Sequence, residues 1–265
     1  MLILRTIIDA HAHVFPSKIA AKATESIGEF YDIPMDLDGS VETLLQLKER
    51  YSVSKFLIQS VATTPLQVAS INDFIARTVE EHPDTFIGFG ALHPSMEEPE
   101  KEVERILSLG LKGVKLHPDF QKFEADSPAA IRLYKAMEGR LPLLIHAGDR
   151  RYDYSHPRRI ANILNRFPKL DVIAAHFGGW SQWDEAQAYL KGKRVWVDTS
   201  SSLYEISPER AKELVDDFGE DFVLFGTDYP MWKVNEELER LGKLGLSESQ
   251  LEKILHLNVE RLLGL

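Results

Sequence analysis

The chain has 265 residues, no cysteine and a formal net charge of −10, from 31 Lys and Arg against 41 Asp and Glu. The missing cysteine excludes disulfides, iron–sulfur clusters and cysteine nucleophiles, so a metal would have to be held by His, Asp or Glu. The acidic balance argues against nucleic acid as the main partner, and no apolar run is long enough for a membrane span.

Short apolar runs alternate with longer amphipathic stretches along the chain. The first run, within MLILRTIIDA, lacks the features of a signal peptide and is predicted to be a strand of a cytoplasmic protein. The eight predicted strands are Ile3–Ala10, Lys55–Val61, Phe86–Leu92, Lys112–His117, Leu141–His146, Asp171–His176, Arg194–Thr199 and Phe222–Thr227. Each interval after the first leaves room for one helix and two loops, as a βαβ unit requires.

The first interval is longer and carries two predicted helices, Ser17–Phe30 and Ser40–Arg50. They follow the first strand directly, so they should overhang its end as a lid. The chain ends in an amphipathic helix predicted over Ser247–Leu263. The Gly-rich turn of a dinucleotide fold is missing after the first strand, so we predict a single domain over residues 1–265, a (β/α)8 TIM-type barrel, closed or distorted.

Polar residues stand where four of the predicted strands end. They are the pair His11-x-His13, His146, His176 and Asp228. Each alone is explained as well by a core or capping role, but barrel chemistry is done at this one rim. Three imidazoles and a carboxylate suit Zn²⁺ or a similar divalent ion, with a position left for water.

This set, with His176 in HFGG and Asp228 in GTDYP, resembles the metal-dependent amidohydrolase superfamily, and more narrowly the branch that includes aminocarboxymuconate-semialdehyde decarboxylase and related hydrolases. The resemblance implies a distorted barrel with His11, His13, His146 and Asp228 as metal ligands. It also implies that His176 is a catalytic acid or base, and that Asp228 is both ligand and proton acceptor. The chain departs from the decarboxylase pattern by lacking the long insertions that often shape the substrate pocket.

The main prediction for function is a metal-dependent hydrolase. One divalent ion, Zn²⁺ in the simplest case and without a second metal, would activate water to cleave a small ester, lactone or amide. The alternative is a metal-dependent decarboxylase acting on an unsaturated or aromatic carboxylic acid. A Schiff-base aldolase using Lys115 and a barrel that only binds a ligand also stay open.

Further side chains are candidates for contact with a small-molecule substrate, including an anionic one. Lys115 and His117 share one face of the fourth strand, where Lys115 could contact substrate, form a structural bond or, if carboxylated, bridge two metals. Arg150 could bind a carboxylate, although neutralisation of this arginine-rich loop by its aspartates is favoured. Trp180 and Trp232 could wall the pocket or pack under loops. Whether the chain forms a homo-oligomer stays open, because the sequence shows no surface patch from which to argue for one.

Overall fold

The computed structural model describes residues 6–265, in which eight parallel strands follow one another around a single sheet in chain order. The strands are β1 Ile8–His13, β2 Lys55–Gln59, β3 Phe86–Ala91, β4 Gly113–Leu116, β5 Leu143–Ile145, β6 Val172–Ala174, β7 Trp196–Asp198 and β8 Val223–Leu224. The predicted first strand began at Ile3, and its residues 3–5 lie outside the described part of the chain.

Hydrogen bonds between β1 and the segment around β8 close the sheet. Ala10 N donates to Phe225 O at 2.8 Å, and farther along Ala12 bridges to Tyr229 in parallel register. Gly226 makes this approach close, because a Cβ there would lie 2.9 Å from the Cβ of His11. The predicted (β/α)8 barrel is confirmed.

The helices surround this sheet. They are α1 Ser17–Tyr31, α2 Val41–Tyr51, α3 Val68–Glu81, α4 Pro99–Ser108, α5 Pro118–Gln121, α6 Pro128–Met137, α7 Pro157–Arg166, α8 Trp183–Leu190, α9 Pro208–Phe218, α10 Val234–Gly242, α11 Glu248–Glu252 and α12 Asn258–Leu263. None of the helices in residues 6–265 is long and apolar enough to cross a membrane.

The two inserted helices and the final helix agree with the sequence pattern. Ser40 Oγ accepts a hydrogen bond from Thr43 N at 3.1 Å and caps α2, which satisfies an amide in its first turn. The predicted final helix is one helical run, α11 to α12, through a π-helical segment at Lys253–Leu257. Its residues Ile254 and Val259 are buried against the barrel.

Apolar side chains fill the barrel below the strand ends. The interior cluster comprises Ile8, Ala10, Leu57, Ile87, Phe89, Leu144, Ile173, Ala175, Trp196, Leu224 and Val259. Leu144 and Trp196 lie two residues before His146 and Asp198, so the strand alternation stacks polar groups above this apolar floor. The floor keeps water from reaching the polar layer from below.

One prediction concerns Glu237, a fully buried carboxylate on α10. Arg240 donates to Oε1, whereas Oε2 has no partner in the described part of the chain. Burial raises the pKa of Glu237 from 4.5 to about 7, although Arg240 opposes the shift. Between these values the folded state binds more protons than the unfolded state, so the free energy of unfolding should fall as pH rises.

Glu237→Gln removes this titration. Between about pH 5 and about pH 8, the free energy of unfolding of the wild type should therefore fall by up to about 3 kcal/mol more than that of Glu237→Gln. Urea denaturation at both pH values measures the difference. Glu239→Gln, at an exposed position of the same helix and paired with Lys243, is the control and should follow the wild type. An equal pH dependence in all three proteins would contradict the assignment.

Candidate active site

The two histidines of the H-x-H pair are placed by an irregularity in β1. The pairing register with β2 shifts between Asp9 and Ala12, which puts one extra residue into β1. Such bulges change the direction in which side chains point. His11 Nε2 and His13 Nε2 lie 3.2 Å apart, and both side chains are buried.

Asp228 joins this pair from the segment after β8. Its backbone has a φ of 60°, in the left-handed region, and its N–H donates to His11 O at 2.8 Å. Oδ1 then lies 3.3 Å from His11 Nε2 and 3.4 Å from His13 Nε2. Ser201 Oγ donates to the other carboxylate oxygen at 2.6 Å, which fixes the rotation of the group.

The protonation states around these atoms leave lone pairs that face one another. His11 Nδ1 lies 2.9 Å from Asp198 Oδ2, an acceptor, so the proton of His11 belongs on Nδ1 and Nε2 keeps its lone pair. Burial lowers the pKa of His13 to about 4, so His13 is neutral at pH 7. Burial alone would raise the pKa of Asp228, but His11 and the hydrogen bond with His13 hold it well below its usual value.

The three donor atoms therefore have the spacing and chemistry of metal ligands. Atoms bound at 2.0–2.2 Å to one divalent ion lie about 3.0–3.4 Å from each other. The buried group His11, His13 and Asp228 meets this condition within residues 6–265. Two imidazoles and a carboxylate fit a divalent cation of the zinc or manganese type.

His146 and His176, predicted as ligand and acid or base, contact each other, and the His176 ring also stacks on that of His11 with centroids 5.2 Å apart. His146 Nδ1 lies 3.0 Å from His176 Nε2, and His146 Nε2 lies 2.8 Å from Gly148 O. Both ring nitrogens of His146 are thus engaged, and its role as a ligand stays a prediction. His176 has a left-handed φ of 62° and lines the same cavity as Asp228.

Sequence reasoning missed Asp198, which ends β7. Besides His11 it accepts hydrogen bonds from His176 N at 3.0 Å and from the N–H and Oγ of Ser200. Burial alone would raise its pKa, but His11 and His176 lower the pKa of Asp198 to about 2. The signal was available, because a carboxylate at the end of the seventh strand belongs to the same rim as the other polar residues.

Lys115 and His117 also face the cavity. Lys115 is fully buried, and its Nζ lies 3.0 Å from His11 Nε2. Burial lowers its pKa to about 8 although Asp228 and Asp198 oppose this, so the amine is mostly charged at pH 7. The cavity therefore combines a cationic side chain with the three converging lone pairs.

Helix α1 covers this cavity, in the position predicted for a lid. Ile27 and Tyr31 of α1 line it together with Phe120 and Met231. The space open to the centre of a water molecule is about 20 Å³, which is room for one or two waters. A larger ligand requires movement of this cover.

The remaining predicted contacts lie outside the cavity lining. Arg150 is exposed, and its N–H donates to Ser181 Oγ at 3.1 Å. Trp180 packs edge-on against Tyr31, with ring centroids 4.9 Å apart. Trp232 Nε1 donates to Ser201 Oγ, the hydroxyl that holds Asp228. Substrate contact by these three residues stays a prediction.

The neighbouring Arg151 forms a bidentate pair with the buried carboxylate of Asp149, at 3.0 and 2.7 Å. Its third nitrogen donates to Phe30 O at 2.6 Å, near the end of α1. Arg159 pairs with Asp153 in the same loop. These contacts agree with the favoured interpretation for Arg151 and Arg159, whereas Arg150 forms no ion pair within residues 6–265.

The chain is similar in sequence to a known protein family and to several named enzymes. The sequence model of the amidohydrolase family matches residues 8–265. Gamma-resorcylate decarboxylase from Polaromonas sp. (strain JS666 / ATCC BAA-500) is 26% identical over 251 residues, covering 73% of this chain and 75% of that protein. The 2-amino-3-carboxymuconate-6-semialdehyde decarboxylase of Dictyostelium discoideum is 27% identical over 199 residues, covering 60% and 55%.

The fold of a solved structure is also similar. Dihydroxybenzoic acid decarboxylase from Polaromonas sp. JS666, with bound manganese and the inhibitor 2-nitroresorcinol, has a TM-score of 0.73 at 16% identity, covering 98% of this chain and 97% of that one. At this identity the likeness supports the fold alone.

The names of these relatives correct one expectation. They are decarboxylases, so the prediction of a hydrolase as the main activity is wrong, and the alternative is better supported. The error has a physical cause, because both reactions need a cation beside a proton-transferring group, and the ligand set does not distinguish them. The chain is an enzyme and belongs to the amidohydrolase family, in the branch that includes aminocarboxymuconate-semialdehyde decarboxylase.

Proposed function

We propose that this chain is a metal-dependent decarboxylase acting on a small aromatic or unsaturated carboxylic acid. The observation that carries the proposal is the convergence of three buried lone-pair donors, His11, His13 and Asp228, beside a cavity that is also lined by a buried lysine. The relatives at 26% and 27% identity, whose names are those of decarboxylases, supply the reaction class.

These three residues would hold one divalent cation, with His146 as a further proposed ligand. When bound, the cation supplies a Lewis acid that stabilises negative charge on substrate oxygens. We expect Zn²⁺ or Mn²⁺, because nitrogen and oxygen donors suit both and a structural relative carries manganese.

A second ion between His117 and His146 is not part of the proposal. Their rings are stacked, with centroids 4.0 Å apart and planes within 10°. Imidazole binds a metal through a lone pair in the ring plane, and a single ion cannot lie in two parallel planes at once.

The reaction replaces a carboxylate by a proton. The bond between the ring or alkene carbon and the carboxyl carbon breaks, CO₂ leaves, and the electron pair left on carbon takes up a proton. No oxidant or further reactant is needed. Lys115, charged at pH 7, is the proposed contact for the anionic end of the substrate.

His176 is the proposed proton carrier. It lines the cavity, and its two ring nitrogens contact His146 and Ser200. Burial lowers the pKa of His176 to about 4, so the ring is neutral at pH 7. A neutral ring that takes up a proton at one nitrogen would release one from the other. General acid–base transfer of this kind contributes about 10²–10⁴ in rate.

An assay of CO₂ release tests the proposed function. The protein is loaded with Zn²⁺ or Mn²⁺ and offered aromatic acids such as 2,6-dihydroxybenzoate and a set of unsaturated acids, with chelator-treated protein as the control. We expect metal-dependent CO₂ release and a change in ultraviolet absorbance. Turnover in chelator with borohydride trapping at Lys115 would instead indicate a Schiff-base aldolase.

Two kinds of substitution separate the proposed roles. His11→Ala and Asp228→Ala should lose metal and activity together, because each removes a lone pair from the converging group. His176→Ala should keep its metal and lose about 10²–10⁴ in rate. Elemental analysis beside the assay measures both effects, and loss of metal from His176→Ala would contradict this division.

Asp198→Asn tests the support of the metal site. The amide can donate where the carboxylate only accepts, so it no longer enforces the proton on His11 Nδ1. Loss of such a partner typically weakens metal affinity by about 10–100-fold. Competition with a chromogenic chelator measures the affinity, and Asp216→Asn, in an exposed ion pair with Lys212, is the control. Unchanged affinity in Asp198→Asn would show that Asp198 does not position His11.

A further inference from the structure

We infer that Tyr31, the last residue of α1, donates its hydroxyl proton to an anionic oxygen of the bound acid. The inference deepens the proposed function and rests on it for the nature of the ligand. It assigns to the cover of the cavity a polar contact with the substrate, and it makes His117 the residue that sets the direction of this hydrogen bond.

The hydrogen bonds of the His117 ring show which of its nitrogens carries the proton. Its Nδ1 accepts a hydrogen bond from Phe120 N at 3.3 Å and thereby caps α5, so Nδ1 presents a lone pair. An imidazolium has no lone pair to offer this N–H, so a ring that accepts it carries only one proton. The ring is neutral, and its proton belongs on Nε2.

The proton on His117 sets the direction of the hydrogen bond between His117 and Tyr31. His117 Nε2 lies 2.9 Å from Tyr31 Oη, so His117 donates and the tyrosine oxygen accepts. In residues 6–265 the hydroxyl has no other hydrogen-bond partner. Burial raises the pKa of Tyr31, so the group keeps its proton, which is left to be donated.

Tyr31 also belongs to the wall of the cavity in which the acid is proposed to bind. Tyr31 lines the cavity together with Lys115 and two members of the converging group, His13 and Asp228. A donor from the cover and a cation from the barrel suit a ligand oxygen that bears negative charge, which is a carboxylate or a phenolate oxygen.

Both partners are held in position before a ligand arrives. His117 lies in a stack of three rings, between Phe120 at 3.9 Å and His146 at 4.0 Å. The guanidinium of Arg151 lies 5.4 Å from the centre of the Tyr31 ring and bonds the adjacent Phe30 O. Because this order exists in advance, the ligand need not supply it.

The direction of the hydrogen bond is tested without any substrate. Nitrogen-15 NMR of histidine-labelled protein, loaded with diamagnetic Zn²⁺, distinguishes the two imidazole tautomers, and His117→Gln assigns the signal. We expect the Nε2–H tautomer, with a protonated Nε2 signal that shifts in Tyr31→Phe. An Nδ1–H tautomer would mean that Tyr31 donates to His117, and the inference would be overturned.

The contact with the ligand is tested by calorimetric titration with benzoate and with pentafluorophenol, which is ionised at pH 7, as the carboxylate and phenolate arms, and with nitrobenzene as a neutral shape mimic of benzoate. Tyr31→Phe should weaken binding of the preferred anionic oxygen by about 10–100-fold and leave nitrobenzene binding unchanged. Tyr152→Phe, on the same rim but 43% exposed and outside the cavity lining, should bind like the wild type.

Equal affinities in Tyr31→Phe and the wild type, or no binding of either oxygen ligand to the wild type, would overturn the contact. His117→Phe keeps the ring stack and removes the N–H, so it should give a smaller loss of affinity than Tyr31→Phe. These readouts need no turnover. Failure of decarboxylation with the tautomer and binding results intact would therefore refute the reaction and leave the role of Tyr31 standing.

Discussion

The arrangement of the site depends on three buried acceptor atoms whose lone pairs point at one another. His11, His13 and Asp228 bring acceptor atoms within 3.2–3.4 Å of each other while buried. Buried acceptors without a partner cost free energy, and a negative carboxylate costs more. Positive charge offsets this cost, so the arrangement favours a cation, which is either the ammonium group of Lys115, 3.0 Å from His11 Nε2, or a bound divalent ion. Asp198 strengthens the selection from outside, because it keeps the proton of His11 on the far nitrogen.

The barrel produces this convergence through departures from regular structure at the strand ends. A bulge in β1 turns both histidines toward the axis, and left-handed backbone at His176 and Asp228 turns the chain after β6 and β8. Such conformations cost about 1–3 kcal/mol per residue outside glycine and persist where the surrounding structure enforces them. Here the apolar floor and the hydrogen bonds that close the barrel provide the enforcement. His176 and Asp228 both have left-handed backbone and both line the cavity, so part of this strain lies where the proposed chemistry takes place.

The barrel and much of the site were predictable because periodic patterns encode them. Apolar runs spaced for βαβ units specify the fold, and polar residues at four strand ends specify one rim. Asp198 was missed because a carboxylate before Thr and Ser looks like an ordinary turn. Tyr31 could not be found, since its place in the cavity depends on how α1 folds back over the strand ends. The partners of His146 are likewise set by side-chain rotation, which has no signature in the sequence.

The converging group does not distinguish hydrolysis from decarboxylation, so it is the cover of the cavity that can distinguish one ligand from another. The space beneath α1 holds one or two waters, and a carboxylic acid needs more room than this conformation offers. With Tyr31 as a donor, closure of α1 over the ligand would form a hydrogen bond that is absent when the cavity is open. An acid with an oxygen in reach of that hydroxyl then favours the closed state, and a ligand without one does not. On the proposed role of Tyr31, selectivity for the acid and exclusion of water would both arise from helix α1.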